Sequence, residues 1–432
     1  MAAIMFSRRG FVFSATAIGS LVGAPRAKNV ETGPHAKLPP AIAALKSRQS
    51  EAKPITVAER RDRVQRAQQL MARNKIDALC MIGGSSLVYF TGIHWWNSER
   101  LFTLVLPQKG NPFYVSPAFE EDRAREQIAQ APLGDSCRVF TWQEDQDPYA
   151  LVAKGLREGG FATGRIGIEE RTTFVFSNGI SKAVPAAEFV SATPVTAGCR
   201  MIKSPAELAL MRLAAQVSLA AYEASWKSLS PGMTQDRFAA LVSAAHQQLG
   251  FTGEASVQVG EYSALPHGSR TPQTIREGTV LLMDGGCTVE GYQSDISRTF
   301  VLGKASDTLK RVFDLVHRAQ TAAVKTARPG LPAGEVDTAA RRAITDGGFG
   351  PDYKYFTHRV GHGMGMDGHE WPYLVRGNPL PLETDMTFSD EPGIYIRGEF
   401  GVRLEDDMHI TDNGAELFTP QSPSPELPFE RA

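Results

Sequence analysis

In the N-terminal half of the chain, apolar positions recur with two alternating periods. From Val57 the pattern is helical: Glu59 to Arg63 are polar, while Val64, Ala67, Leu70 and Met71 share one face. Ala78-Leu79-Cys80-Met81-Ile82 then reads as a buried strand closed by Gly83-Gly84. Phe102-Thr103-Leu104-Val105-Leu106 reads as another, stopped by Pro107. Helix and strand alternate to about Val195, which predicts an α/β domain over residues 56–197. A boundary follows near Cys199. Ser204-Pro205-Ala206-Glu207 predicts a helix start, with Ser204 as cap, Pro205 in the first position and Glu207 closing a capping box. That helix runs on through Leu208, Met211, Leu213 and Ala214, and a second helical pattern spans 235–249. After the polar turn Arg276-Glu277-Gly278 the chain becomes strand-rich, interrupted by helical stretches at 309–327 and 333–346. No internal repeat is evident. This second domain is expected over 198–420, giving an α+β protein overall. Residues 28–55, rich in Pro, Ala and Lys, are expected to be a linker, and residues 421–432 a frayed tail.

Five residues in the second domain carry the candidate chemistry. They are Asp284, Asp295, His362, Glu391 and Glu405, in the frames Met283-Asp284-Gly285-Gly286, Ser294-Asp295-Ile296-Ser297-Arg298-Thr299, Gly361-His362-Gly363-Met364-Gly365, Asp390-Glu391-Pro392-Gly393 and Val402-Arg403-Leu404-Glu405-Asp406. Four carboxylates and one imidazole suit a pair of hard-to-borderline divalent cations, such as Mn, Co, Fe or Zn. Such a pair suits metal-assisted hydrolysis. Residues 278–284 and 293–300 read as two strands of a hairpin. A two-residue turn on Val289-Glu290 places Asp284 opposite Asp295, and one on Glu290-Gly291 places Asp295 opposite Gly286. Either register puts both carboxylates on one face, whereas a three-residue turn separates them. The same parity puts Arg403 and Glu405 on one face of an expected strand over 401–410, with Arg403 orienting Glu405. Gly361, Gly363 and Gly365 are expected to let the backbone approach the metal, and Pro392-Gly393 to bend the chain after Glu391. A DG or EPG acid alone is usually a turn residue. Together these buried acids would be costly unless cations neutralised them.

Composition narrows the class. With 432 residues, two domains are the default. A net charge of -1 leaves no electrostatic footprint for nucleic acid or anionic lipid. No apolar run reaches the roughly 20 residues of a membrane span. Four scattered cysteines, Cys80, Cys137, Cys199 and Cys287, form no zinc motif. Cys287 reads as a small packing residue, and in an oxidising compartment one bridge of unspecified pairing is open. At the N-terminus, Ser7-Arg8-Arg9-Gly10-Phe11-Val12 before an apolar stretch resembles a twin-arginine export signal over 1–27. That implies use of the twin-arginine export machinery and a periplasmic or secreted location.

The five frames resemble those of the pita-bread metallopeptidases, which include methionine aminopeptidase, aminopeptidase P, prolidase and the metal-free creatinase. The resemblance covers about Met201 to Phe418. Leu265-Pro266-His267, His369-Glu370-Trp371-Pro372, Glu391-Pro392-Gly393-Ile394-Tyr395 and Gly401-Val402-Arg403-Leu404-Glu405-Asp406 point to the aminopeptidase P and prolidase branch. The first domain resembles the creatinase-type N-terminal domain of that branch. The resemblance implies that Asp284 binds one ion, that Asp295 and Glu405 bridge the pair, and that His362 and Glu391 complete the other. It implies a bridging hydroxide as nucleophile, Glu391 as proton acceptor, and His267 and His369 as the histidines on the substrate side. It also implies short proline-containing peptides as substrates and a homodimer or higher homo-oligomer. Ser297 departs from the family's usual threonine, and retention of its hydrogen bonding is expected. For Trp95 and Trp96 two fates are open: packing over a substrate proline, across a dimer interface included, or burial within the first domain. The rival function is a lyase or amide hydrolase acting on a small non-peptide substrate with the same fold and site.

Overall fold

The computed structural model describes residues 37–134 and 137–429. The twin-arginine stretch lies outside the described residues. In the first domain six strands form one mixed sheet: β1 (Ala78–Ile82), β2 (Thr103–Pro107), β3 (Phe113–Pro117), β4 (Arg138–Trp142), β5 (Arg165–Ile168) and β6 (Glu188–Ser191), in the spatial order β4-β3-β2-β1-β5-β6. Neighbours β1–β2 and β2–β3 are antiparallel, while β3–β4, β1–β5 and β5–β6 are parallel. Every residue of β1 is buried because both faces of the sheet are covered. Leu79 and Met81 pack with Val64, Ala67 and Met71 of the Val57–Asn74 helix, whereas Ala78, Cys80 and Ile82 face Val152, Leu156 and Ile180. That two-sided cover explains why the strand reads as an unbroken apolar run. Thr56 caps the Val57–Asn74 helix by accepting from the Glu59 amide, and Lys75 ends it in the left-handed conformation.

The second domain consists of two halves built in the same order, a helix pair followed by antiparallel strands. In the first half the Pro205–Trp226 and Gln235–Gln248 helices pack on a sheet of β7 (Thr252–Val259), β8 (Val280–Val289), β9 (Tyr292–Gln293) and β10 (Ile296–Val301), around one apolar core. The expected capping box at Ser204 and Glu207 is present. In the second half the Asp307–Thr326 and Ala333–Asp346 helices cover a five-stranded sheet. Its strands are β11 (Gly361–Gly363), β12 (Glu370–Leu374), β13 (Thr387–Asp390), β16 (Asp406–Thr411) and β17 (Gly414–Leu417), in the order β12-β11-β13-β16-β17. Between β13 and β16 the chain forms a separate ribbon of β14 (Gly393–Ile396) and β15 (Phe400–Arg403). This α+β arrangement behind an α/β domain is the fold class expected from the sequence.

Two expectations at the ends of the folded region fail. The supposed linker is ordered from Leu38: the short Pro40–Ala43 helix buries Ile42 completely in the first half's core. Its Pro- and Ala-rich composition disguised a few apolar anchors, Leu38, Ile42 and Leu45. The supposed frayed tail packs too, as far as 429. The Val301 amide donates to the Pro425 carbonyl at 2.9 Å, and the Phe429 ring lies 5.9 Å from that of Trp226. Of the two fates open to Trp95 and Trp96, burial within the first domain holds for Trp95 alone. Trp95 is buried and stacked on Phe102, while Trp96 is 82% exposed. The four cysteines are free thiols. Among the described residues no helix is long and apolar enough to cross a membrane.

Candidate metal centre

The turn joining β8 to the strand of Asp295 is Glu290-Gly291, with φ of 50° and 85°. Two positive φ values in sequence make the tight turn that matches the twist of paired strands. The register follows: Thr288 pairs with Gln293 and Asp284 with Ser297. Continued across the gap at Ser294-Asp295, it sets Asp295 opposite Gly286, the second of the two expected registers. A Cβ on Gly286 would collide with the Ser294 carbonyl, so glycine is required there. Both aspartates reach one face, where Asp284, Asp295 and Glu405 bring carboxylate oxygens within 4.8 Å of one another.

The second half supplies the other side. His362 sits in β11, Glu391 follows β13, and Glu405 lies where the chain crosses from β15 to β16. His362, Glu391 and Glu405 form another close group, and Asp295, His362 and His369 a third. His362 Nε2 is 3.4 Å from Glu391 and 3.8 Å from Asp295, while its Nδ1 contacts the Gly363 carbonyl. The His369 ring stacks on His362 with centroids 3.8 Å apart. His267 is exposed beside the site, and the Arg403 guanidinium donates to the neighbouring Pro266 carbonyl at 3.1 Å.

Two local expectations need correcting. No single strand runs over 401–410, because the chain changes sheets at Leu404-Glu405. Arg403 therefore pairs with Asp284 at 2.6 Å and lies 3.8 Å from Glu405, with Ser297 between them. The glycines beside His362 do not clear space for a metal. A Cβ on Gly361 or Gly363 would meet the backbone of Ser389 or Glu370, and one on Gly365 the side chains of Lys203 and Glu370. Gly361 and Gly363 permit close strand approach, and Gly365 makes room for those two side chains.

The electrostatics are those of a site short of positive charge. Burial, with the charges of neighbouring carboxylates, holds Asp295 and Glu405 well above the usual carboxylate range. Burial likewise lifts Glu391 to about 7, against the pull of Arg403. Burial would lift Asp284 too, but Arg403 and the Ser297 hydroxyl outweigh it and hold it low. Burial lowers His362 to about 3, so its imidazole is neutral and ready to donate a lone pair. Ser297 Oγ makes the shortage explicit. It accepts from Arg403 Nε at 2.9 Å and lies 2.6 Å from both Asp284 and Glu405. One hydroxyl proton serves only one of these carboxylates; the other close contact needs a carboxyl proton or a cation. The donor set, oxygen-rich with one imidazole, fits a hard-to-borderline divalent metal.

Several residues that hold this frame had no assigned role. Arg298, fully buried, pairs with the equally buried Asp406 at 2.7 Å and donates to the Glu405 carbonyl. Asp407 accepts from the Asp295 amide at 3.1 Å. His358 Nε2 lies 2.7 Å from the Tyr395 hydroxyl, and its Nδ1 is 3.8 Å from Glu391. His358 stands four residues before His362, a spacing open to reading; Arg298 and Asp407 show no signal beyond adjacency.

Comparison with known proteins agrees with this geometry. Residues 209–412 match the model of metallopeptidase family M24, and residues 63–202 that of the creatinase/prolidase N-terminal domain. An Xaa-Pro dipeptidase of Lactobacillus delbrueckii subsp. lactis is 32% identical over 361 residues, covering 82% of this chain and 95% of the relative. The crystal structure of dipeptidase PepE from Mycobacterium ulcerans superposes with a TM-score of 0.79 at 32% identity, covering 85% of this chain and 97% of that one. An X-Pro aminopeptidase from Thermotoga maritima gives 0.70 at 28% identity, with 83% and 97% covered. The chain is a metallopeptidase and belongs to family M24, with a creatinase/prolidase N-terminal domain.

Proposed function

We propose that the chain hydrolyses Xaa-Pro bonds, in dipeptides or at the N-terminus of short peptides, with two divalent cations. Asp284, Asp295, His362, Glu391 and Glu405 would hold them, Asp295 and Glu405 shared by both. The observation that carries this reading is the sharing of Glu405 between two close ligand groups, one with Asp284 and Asp295, the other with His362 and Glu391. When bound, the ions supply Lewis acidity and make water a nucleophile at neutral pH. Glu391 takes the proton of the attacking water and returns it to the leaving proline nitrogen. His369, stacked against His362, and His267 beside the site donate to the oxygen that gains charge at the scissile carbonyl. Arg403 keeps Asp284 ionised and oriented. The relatives' names support Xaa-Pro peptides over a small non-peptide substrate.

Manganese as the working metal, a homo-oligomer and twin-arginine export from Arg8-Arg9 complete the proposal. The test is hydrolysis of Ala-Pro, a longer Ala-Pro-led peptide and Ala-Ala by metal-stripped protein, with and without Mn, beside Asp295→Asn. Mn-dependent cleavage of the proline substrates, lost in Asp295→Asn, is expected, and the ratio of the two rates separates dipeptidase from aminopeptidase. Metal uptake without cleavage of any peptide would overturn the reading. Light scattering of the pure protein tests the oligomer, and Arg8→Lys/Arg9→Lys tests export.

A further inference from the structure

Between β11 and β12 the chain runs through Met364-Gly365-Met366-Asp367-Gly368 to His369, so the residue stacked on His362 ends a glycine-rich loop. Such a loop does not fix its own conformation. It is held from outside at Asp367, where three donors from three segments of the first domain meet on one carboxylate. Ser85, at the start of the Ser85–Thr91 helix, donates to Oδ1 at 2.6 Å. Arg171, just past β5, donates to the same oxygen at 2.7 Å. Arg200, at the end of the Thr193–Arg200 helix, donates to Oδ2 at 2.5 Å.

The grip extends across His369. Arg200 also donates to Glu370 Oε1 at 2.5 Å, and the Asp367 amide donates to that same oxygen at 2.8 Å. His369 therefore hangs between two residues tied to one guanidinium, whose side chain is only 6% exposed. On the other side, Gln293 donates to the Gly365 and Met366 carbonyls, which fastens the loop to the hairpin of Asp284 and Asp295.

We propose that Asp367 is a positioning residue through which the first domain sets His369 over the metal centre. The proposal rests on the Xaa-Pro reading for the role of His369. The first domain then supplies Ser85, Arg171 and Arg200 as a clamp on the catalytic loop. Small displacements of such a group cost rate steeply, about 100-fold for 1 Å.

The test is a double-mutant cycle on the Mn-loaded full chain with Ala-Pro. Asp367→Ala is expected to lower kcat about 30-fold, with KM within about threefold and metal content unchanged. Arg171→Ala, which removes the most exposed of the three donors, is expected to cost about threefold in the same direction. In a His369→Ala background, Asp367→Ala is expected to cost less than about twofold further, because its effect acts through the histidine. An equal loss in both backgrounds, or an unchanged kcat in Asp367→Ala, would overturn the proposal. A crystal structure of Asp367→Ala gives a readout independent of activity. His369 displaced from the His362 ring is expected, and an unmoved ring contradicts the clamp. Wild-type protein that cleaves no Xaa-Pro peptide would defeat the functional reading, while the crystal structure still decides the clamp.

Discussion

The two halves of the second domain build the same site by different means. The first half places Asp284 and Asp295 with one hairpin, closed by the two-residue turn Glu290-Gly291. Their common face is a matter of counting, since strand side chains alternate with period two. The second half brings His362, Glu391 and Glu405 from three places where the chain enters, leaves or changes a sheet. No local count relates them. Their convergence depends on tertiary anchors such as the buried pair of Arg298 and Asp406. One half is specified by register and the other by packing.

The most damaging change on the register side is one residue inserted after Glu290. It is expected to turn Asp295 off the shared face, with binding of both ions lost and kcat/KM for Ala-Pro down at least about 1,000-fold. Metal analysis beside kinetics checks both. On the packing side, Arg298→Met takes the cation from the buried Asp406 and leaves it only the hydrogen bonds of Gln320 and Thr419. It is expected to cost about 3–5 kcal/mol in urea unfolding, with metal affinity falling because Glu405 loses its backbone anchor. A hydrophobic double replacement, Arg298→Met with Asp406→Leu, is expected to recover much of that stability without recovering activity.

The effect of metal on stability sharpens the comparison, since it engages both halves at once. Burial raises Glu391 from 4.5 to about 7. A raised folded-state value contributes stability that is complete below 4.5 and is lost as pH rises through about 7. Asp295 and Glu405 are shifted in the same direction. Metal displaces these protons, so Mn is expected to raise Tm more at pH 8 than at pH 5.5, by about 3–5 °C. Calorimetry at pH 6.5 in buffers of different ionisation enthalpy is expected to show net proton release. The smallest effect is expected for Ser297→Thr, which keeps the hydroxyl between Asp284 and Glu405. Its kcat/KM is expected to stay within about threefold of wild type.

What could be read in advance follows the same division. The capping box at Ser204, the apolar face of the Val57–Asn74 helix and the hairpin of Asp284 depend on neighbours a few residues away. The parity rule fails between Arg403 and Glu405 because at Leu404 the chain leaves one sheet for another. The glycines around His362 answer to neighbouring backbone and side chains that are remote in sequence. Ile42 and Phe429 were missed because single apolar residues in Pro-rich stretches declare no partner. Asp367 sits within the most recognisable segment of the chain, yet its three partners lie 167 to 282 residues away.

The central claim is that both halves meet on one shared pair of ions. Its most direct test is an anomalous difference map from Mn-loaded crystals. The account predicts two peaks about 3.5–4 Å apart, one against Asp284, the other against His362 and Glu391, with Asp295 and Glu405 touching both. A single peak at full occupancy under saturating Mn, or a pair that leaves out Asp295 or Glu405, would contradict it.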